Sequence, residues 1–204
     1  MNMIKNIKIL IAGVGGQGVV FLSNLVVEAA MISNIPVSVS EIHGLSQRGG
    51  VVTSGIGLGA HCTGFIGKAS VDFLFGLEPL ETQRCLSYLH KNSSVIFGHY
   101  RIQPYSVNAE ITQYPELSVL ATYLEKQCKE AVFIKEFAKH IDPILYNVFM
   151  LGRASRMNDF PFQEPLLEAA INNTLHGTKN KETMDAFKLG VAYEFDKKQA
   201  PLNS

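Results

Sequence analysis

A glycine-rich turn between an apolar strand and a helix is the feature that most constrains the fold of this chain. Residues Gly13–Gly18 read Gly-Val-Gly-Gly-Gln-Gly and follow the apolar run Ile7–Ala12. Apolar residues then recur at helical spacing over Val19–Ala30, so the pattern predicts a strand, a tight turn and a helix. Glycine permits positive φ and close backbone approach, and the N–H groups at a helix start can bind an anion. The turn is therefore predicted either to bind a phosphate-bearing ligand or to serve only as a tight connection.

The composition limits the class of protein. The 204 residues include 18 basic and 18 acidic side chains, and 47% of the residues are hydrophobic. This predicts a single domain over residues 1–204 with a sizeable core, and the balanced charge argues against a nucleic-acid partner. Apolar runs end before the roughly 20 residues of a membrane span, and the N-terminal residues run directly into the first strand, so we expect a cytoplasmic protein with no membrane contact. The three scattered cysteines favour neither a disulfide framework nor a metal or iron–sulfur site.

Strand and helix patterns alternate along the rest of the chain. The predicted strands are Pro36–Ile42, Val51–Leu58, Val71–Gly76, Ser94–Phe97 and Ala131–Ile134. The predicted helices are Glu78–Leu89, Leu117–Gln127, Lys135–Ile141, a segment that opens with Ile144–Leu151, Pro165–Leu175 and Glu182–Phe195, while residues 100–115 read as a loop. This alternation predicts an α/β fold with a doubly wound, mostly parallel, Rossmann-like sheet and helices on both faces.

A polar loop, Glu-Ile-His-Gly-Leu-Ser-Gln-Arg-Gly-Gly, follows the second strand and begins at Glu41. Open α/β sheets place ligand-binding loops after their strands. Arg48 can grip a phosphate or carboxylate with two hydrogen bonds, Gly49 and Gly50 would let the backbone close on a ligand, and His43 is a candidate for acid–base chemistry. The alternatives are a surface loop in which Glu41 and Arg48 satisfy each other or a neighbouring subunit, and a structural hydrogen bond for His43.

The spacing of the glycines also fits a dinucleotide-binding fingerprint. Gly13, Gly15 and Gly18 match Gly-x-Gly-x-x-Gly, and Glu41 lies near the position of the ribose-binding acid. A glycine-rich loop follows Glu41, however, where the dinucleotide fold continues into a helix. NAD binding is therefore the weaker alternative.

Three further polar residues receive structural interpretations. Asn147 is predicted to lie in a buried helix and to hydrogen-bond a loop backbone, because burying its amide unpaired would cost roughly 1–3 kcal/mol. Glu78 and Glu81 bracket Pro79 at a predicted helix start. Negative charge there favours the helix dipole by ~0.3–1 kcal/mol.

Five blocks of the sequence together resemble the gamma-type domain of the 2-oxoacid:ferredoxin oxidoreductases, and within that family the beta subunit of the indolepyruvate enzymes. The blocks are Gly13–Gly18, Glu41–Gly50, Asp72–Glu81, Asn147–Gly152 and Ala186–Gly190. The resemblance extends over nearly the whole chain. The chain departs from the family pattern at Gly55-Ile-Gly57, where relatives commonly carry a basic residue.

The resemblance implies a subunit rather than an enzyme on its own. It would support the coenzyme A-dependent oxidative decarboxylation of a 2-oxoacid, with indolepyruvate favoured, to an acyl-CoA, with ferredoxin as the electron acceptor. Thiamine diphosphate, magnesium and iron–sulfur clusters are expected in a larger partner subunit, and no metal is expected in this chain. The alternative is a stand-alone nucleotide-binding regulatory module without redox activity.

The resemblance also implies the site residues. Those expected to bind the cofactor are Gly13, Gly15, Gly16, Gln17, Gly18, Gln47, Arg48, Gly49 and Gly50. The four glycines of the turn would face a phosphate-bearing group such as that of coenzyme A. His43, Gln47 and Arg48 would approach the active site or the partner subunit, and His43 and Arg48 are the candidate catalytic residues.

Overall fold

A computed structural model describes residues 6–44, 50–101, 114–138 and 141–194. The strands are β1 (Ile7–Val14), β2 (Val37–His43), β3 (Val51–Leu58), β4 (Val71–Gly76), β5 (Leu89–Gly98) and β6 (Glu130–Ile134). The α-helices are α1 (Val19–Ile32), α2 (Pro79–Arg84), α3 (Leu117–Gln127), α4 (Tyr146–Ala154), α5 (Glu164–Thr174) and α6 (Gly177–Val191). Two short 3₁₀ segments, Leu86–Tyr88 and Pro143–Leu145, precede β5 and α4.

The six strands form one sheet in the order β2-β3-β1-β4-β5-β6. Strands β1, β4, β5 and β6 run parallel to one another. Strand β3 is antiparallel to both β2 and β1. The predicted mostly parallel sheet is therefore confirmed, but β2 and β3 form a hairpin where a doubly wound fold would place a crossover helix.

Helices cover both faces of the sheet, as predicted. Along β1, Ile9 and Ile11 pack in a core that includes buried residues of α1, α4, α5 and α6. The intervening Leu10 and Ala12 pack in a second core with buried residues of α3. Strand side chains alternate between the two faces, so a nearly continuous apolar β1 is what a sheet buried on both sides requires.

Glycine allows two close backbone approaches that fix the packing. The segment that follows β3 crosses the sheet, and a Cβ at Gly57 would lie 2.5 Å from the Thr63 carbonyl oxygen. Helices α4 and α6 also meet at glycine, because a Cβ on Gly152 or Gly190 would overlap the backbone of the facing helix. The Gly55-Ile-Gly57 departure from the family pattern thus accommodates a crossing segment.

Several predicted elements differ from the structure. Residues 135–138 are not helical, so the predicted helix Lys135–Ile141 is wrong; Phe137 is instead fixed by ring contacts, including a stacked one with Tyr146 at 3.8 Å. The helix predicted to run to Leu89 ends at Arg84, because Leu89 pairs with Val71 in the sheet.

Two other predicted elements begin at different residues in the structure. The last helix starts at Gly177 rather than Glu182, and the residues before Glu182 are too polar to show apolar periodicity. Strand β5 is longer than predicted because it begins at Leu89. Most of the loop predicted for residues 100–115 lies outside the described residues.

Candidate functional site

The turn after β1 requires glycine at two positions. Gly16 has φ of 101° and Gly18 has φ of 72°, in the left-handed region that L-residues rarely adopt. The N–H of Gln17 donates to the Val14 carbonyl at 3.1 Å, which closes the turn. The predicted strand, tight turn and helix are therefore confirmed.

The Gln17 side chain holds this turn from the inside. It is 6% exposed, its Oε1 accepts a hydrogen bond from the Val14 N–H at 3.0 Å, and its Nε2 donates to the Leu77 carbonyl at 3.0 Å. Leu77 follows β4, so this amide bridges the carboxyl ends of β1 and β4. That is the switch point at which open α/β sheets commonly bind ligands, and here it is occupied by a protein side chain.

Helix α1 begins directly after the turn, with its first N–H groups uncapped by any side chain. It has no side-chain cap hydrogen bond and no acidic residue in its first turn. The Asn147 Nδ2 donates to the Gly18 carbonyl at 3.0 Å, which confirms the hydrogen bond predicted from burial of this amide. A Cβ at Gly18 would overlap the Asn147 amide, so this glycine is needed for both conformation and space.

A cavity of about 640 Å³ opens beside the N-terminus of α1. Its floor is the glycine turn, through Gly15, Gly16 and Gly18. Its apolar walls include Val14, Val20, Phe21, Val52, Leu145 and Leu175. Its polar lining comprises His43, Asp142, Asn147, Lys179, Glu182 and Thr183. A volume of this size is typical of small-molecule sites.

The charges around the cavity do not form a cationic pocket. Lys179 is accompanied by the carboxylates of Asp142 and Glu182. Thr183 is 3% exposed, and its hydroxyl makes no hydrogen bond within the described residues. The cavity therefore suits a ligand with an apolar or uncharged body and a few polar groups, with any anionic group placed against the start of α1.

His43 reaches the cavity from the end of β2. Its Nε2 lies 3.3 Å from the Glu41 carboxylate, and the two side chains are 57% and 31% exposed. Glu41 is thus paired with the imidazole. Since β2 continues into a hairpin rather than a helix, the arrangement departs from the dinucleotide fold, and NAD binding is not supported.

The predicted ligand-binding residues fall into three groups. Gly15, Gly16 and Gly18 line the cavity together with His43. Gly13 and Gln17 are buried and do not line it, while Gly50 supports the turn by accepting a hydrogen bond from the Gly15 N–H at 2.9 Å. Gln47, Arg48 and Gly49 lie outside the described residues.

Sequence reasoning did not identify four polar residues of the cavity. They are Asp142, Lys179, Glu182 and Thr183. Lys179 and Thr183 are four residues apart and therefore share a face of α6. This spacing was a usable signal, but the predicted helix started after Lys179.

A second polar cluster lies next to Gln17, outside the cavity. Glu78 is the N-cap of α2, where its Oε2 accepts a hydrogen bond from the Glu81 N–H at 3.0 Å and its Oε1 accepts one from the Tyr114 hydroxyl. The Arg84 Nη1 donates to Glu81 at 2.5 Å. Burial raises the pKa of both carboxyl groups, and their hydrogen bonds and the Arg84 charge offset only part of the effect. The predicted placement of Glu78 and Glu81 at a helix start is confirmed.

Other kinds of site are not found in the described parts of the chain. No group of three or more His, Cys, Asp or Glu side chains there could hold a metal ion. Burial raises the pKa of Cys85 to about 12, so its thiol is unreactive at neutral pH. Within the same residues, no helix combines the length and apolar character needed to cross a bilayer.

The sequence is similar over most of its length to two indolepyruvate oxidoreductase subunits. The chain is 32% identical over 187 residues to the indolepyruvate oxidoreductase subunit IorB of Archaeoglobus fulgidus, covering 90% of this chain and 93% of that one. It is also 32% identical over 192 residues to the protein of the same name from Methanothermobacter thermautotrophicus, covering 91% and 96% of the two chains.

Solved structures share the fold. The gamma subunit of a keto/oxoacid ferredoxin oxidoreductase from Geobacter sulfurreducens aligns with a TM-score of 0.63 at 16% identity, over 93% of this chain and 96% of that one. A 2-oxoglutarate:ferredoxin oxidoreductase from Magnetococcus marinus aligns with a TM-score of 0.61 at 13% identity, over 93% of this chain but 31% of that longer one. The family model described as pyruvate ferredoxin/flavodoxin oxidoreductase matches residues 8–193, and the chain belongs to that family.

Proposed function

We propose that this chain is the smaller subunit of an indolepyruvate-type 2-oxoacid:ferredoxin oxidoreductase and that it helps to bind coenzyme A. The observation that carries the proposal is the 32% identity to indolepyruvate oxidoreductase subunits over at least nine-tenths of the chain. The assembled enzyme would convert a 2-oxoacid and coenzyme A to an acyl-CoA and carbon dioxide. The two electrons released would pass to ferredoxin.

The redox and decarboxylation chemistry would reside in a larger partner subunit. Thiamine diphosphate with its magnesium ion needs an oxygen-rich metal site, and an iron–sulfur cluster needs grouped cysteine thiolates. The described residues contain no such metal-binding group, and Cys62, Cys85 and Cys128 are separate free thiols. These side chains do not fit either cofactor, so no chemical step is assigned to this chain through them.

The cavity beside α1 has features that suit part of coenzyme A. The uncapped N–H groups at the helix start, with Gly15 and Gly16 in front of them, favour a phosphate. The apolar walls would contact the uncharged pantetheine arm, and Asn147 and Thr183 offer polar groups to its amides. The Magnetococcus relative was solved with coenzyme A bound, which supports this choice of ligand.

Reconstitution tests the function. The isolated chain is expected to show no 2-oxoacid-dependent dye reduction, whereas the complex with the larger subunit is expected to turn over indolepyruvate in the presence of coenzyme A. A panel of pyruvate, 2-oxoglutarate and aryl pyruvates identifies the substrate. Turnover by the isolated chain would contradict its role as a subunit that needs a partner. A complex that is inert toward every 2-oxoacid would favour the stand-alone regulatory module.

A substitution at Gly16 tests the cavity. A Cβ at Gly16 has no atom within 4 Å, so Gly16→Val would project into open space at the turn, at the cost of the positive φ. We expect the KM for coenzyme A to rise at least tenfold while the KM for the oxoacid changes little. Gly177→Val is the matched control, because Gly177 also has positive φ with open space around its Cβ but does not line the cavity. Equal effects of the two variants would mean that backbone strain alone is responsible.

Arg48 is proposed to contact coenzyme A, the oxoacid or the partner subunit. Arg48→Ala is expected to leave folding intact and to reduce activity of the complex by about 10- to 150-fold, as for a lost charge-assisted hydrogen bond of ~1.5–3 kcal/mol. Arg48→Lys should restore only part of the lost activity, since an ammonium cannot donate the two parallel hydrogen bonds of a guanidinium. A change confined to the KM for coenzyme A would assign Arg48 to that ligand, and full activity of Arg48→Ala would contradict the proposal.

A further inference from the structure

Strand β2 forms one edge of the sheet, and its outer side has no strand partner within the described residues. The residues from Val39 to His43 are all exposed, including the apolar Val39 and Ile42 at 40% and 66%. The strand contains no lysine or proline, and its register with β3 is continuous, with no bulge. Proteins use lysine and other charged side chains, proline and bulges to stop edge strands from pairing with other chains. Glu41 is the one carboxylate of β2, and the rest of this edge is open to pairing.

The hydrogen-bond register shows which backbone groups face outward. At one end of the hairpin the Gly44 N–H donates to the Val51 carbonyl at 2.7 Å, and at the other the Gly59 N–H donates to the Pro36 carbonyl at 2.8 Å. Bonded residues alternate along an antiparallel ladder, so even-numbered residues of β2 direct their N–H and C=O groups to β3. The residues whose backbone groups point outward are Val37, Val39, Glu41 and His43.

The opposite edge of the sheet is different. Strand β6 has five residues, against seven in β2. The segment that follows α4 flanks it, because the Asn158 N–H donates to the Glu130 carboxylate at 3.0 Å and Lys129 forms an ion pair with Asp159. The open edge is therefore a property of β2 and not of the sheet in general.

We propose that a second copy of this chain pairs antiparallel with β2 about a two-fold axis at Ser40. In this register Val39 faces Glu41 of the second copy and Val37 faces His43. Each of the four outward residues then forms a hydrogen-bonded pair, and since each pair exchanges two bonds, eight are made. The six-stranded sheet would continue into the sheet of the second copy.

Strand length and charge together select this register, because Ser40 is the midpoint of Val37–His43 and an axis at Val39 or Glu41 would leave residues at one end of β2 without a partner in the strand. Moving the axis one position, to Glu41, would bring two carboxylates opposite each other, whereas the Ser40 axis places an uncharged valine opposite each charged or titratable side chain. Strand β2 matches itself in length and in its pattern of donors and acceptors, as a two-fold interface requires. The pairing would also bring Val37 of the second copy beside His43, at the rim of the cavity.

Mass measurement with a proline variant tests the pairing. The full chain is expected to sediment at about twice 22.4 kDa at micromolar concentration. Val39→Pro removes an outward N–H without touching the β2–β3 ladder, so it should yield a folded monomer. Val119→Ser is the control, since Val119 is 61% exposed and lies on α3, at the other end of the sheet from β2. A monomeric wild-type chain, a dimeric Val39→Pro variant or a monomeric Val119→Ser variant would each overturn the proposal.

Cross-linking tests the register independently of proline. Residues at position 40 would face each other as a non-hydrogen-bonded pair, with Cα atoms ~4.5 Å apart, within the range for a disulfide. Ser40→Cys should form a covalent dimer under mild oxidant, whereas Ser38→Cys, which would face Ile42, should not. The unsubstituted chain gives the background from its three native cysteines. Equal cross-linking at the two positions would contradict the Ser40 axis.

The larger subunit is the competing occupant of this edge. If the chain alone is monomeric and hydrogen exchange at β2 slows only in the assembled complex, then the larger subunit pairs with β2 and the second-copy proposal fails. Protection of β2 in the chain alone, retained in the complex, supports it. Neither measurement uses enzyme activity, so the result is separate from the fate of the proposed function.

Discussion

Replacing Gln17 by leucine should destabilise the fold although the two side chains have similar volume. The change removes the hydrogen bonds to the Val14 N–H and the Leu77 carbonyl, both at 3.0 Å and both buried. Each unsatisfied group costs about 1–3 kcal/mol. Burial of the apolar leucine side chain offsets part of that loss. We therefore expect the free energy of unfolding to fall by about 2–4 kcal/mol.

Urea denaturation measures this change. The chain has no tryptophan and seven tyrosines, so tyrosine fluorescence and far-ultraviolet circular dichroism are the two probes. Gln127→Leu is the matched control, because Gln127 is exposed at the end of α3 and should change the free energy of unfolding by less than ~0.5 kcal/mol. If Gln17→Leu shifts the urea midpoint no more than this control, the inward bridge does not hold the turn.

A glutamate at the same position separates the two hydrogen bonds. In Gln17→Glu the carboxylate can still accept from the Val14 N–H but cannot donate to the Leu77 carbonyl, and its charge is buried. Protonation restores a donor and removes the charge. The variant should therefore recover stability relative to wild type as the pH falls toward 4, a trend that Gln17→Leu should not show.

Two more substitutions test the packing around the site. Gly190→Ala should lower the free energy of unfolding by about 1–3 kcal/mol, because the added Cβ would overlap the Phe149 carbonyl of α4. Gly67→Ala is the neutral control in the same urea titration, since its Cβ would lie 3.8 Å from the nearest atom. Burial raises the pKa of Glu78, and the Tyr114 hydrogen bond offsets only part of this. The protonated Glu78 side chain therefore stabilises the fold fully below the unfolded-state pKa, and this contribution is lost as the pH rises through the folded-state pKa. The stability advantage of wild type over Glu78→Gln should shrink as the pH increases above ~4.5 in parallel urea titrations, and a constant or growing advantage would contradict the assigned direction.

The sequence predicted the elements whose signal is local. The turn after β1 needs glycine because of its own backbone angles, and the apolar residues on either side of it show their periodicity within a few residues. The buried amide of Asn147 was also predictable, since a polar group in an apolar helix must find a partner, and it found the Gly18 carbonyl.

The parts that the sequence did not predict depend on contacts between distant residues. The antiparallel direction of β3 follows from its pairing with β1, whose residues lie 37 to 51 positions earlier in the chain, and strand composition does not encode direction. Residues 135–138 look helical because their apolar side chains are closely spaced, yet Phe137 is fixed by ring contacts to Tyr146 and Phe149. The inward direction of Gln17 is likewise set by Leu77, 60 residues later.

The blocks that carry the family resemblance are also physically connected around the cavity. Asn147, at the start of α4, fixes the glycine turn through Gly18. Gly152, on the same helix, lies against α6, and Gly190 of α6 lies against α4. Helix α6 then presents Thr183 and other polar residues to the cavity. Because the two glycines set the separation of these helices, enlarging Gly190 should displace the α6 wall of the cavity as well as destabilise the fold. If the cavity binds coenzyme A as proposed, a folded Gly190→Ala complex should lose affinity for it while the Gly67→Ala complex keeps that affinity. Retained affinity in Gly190→Ala would contradict this link between the helix crossing and the cavity.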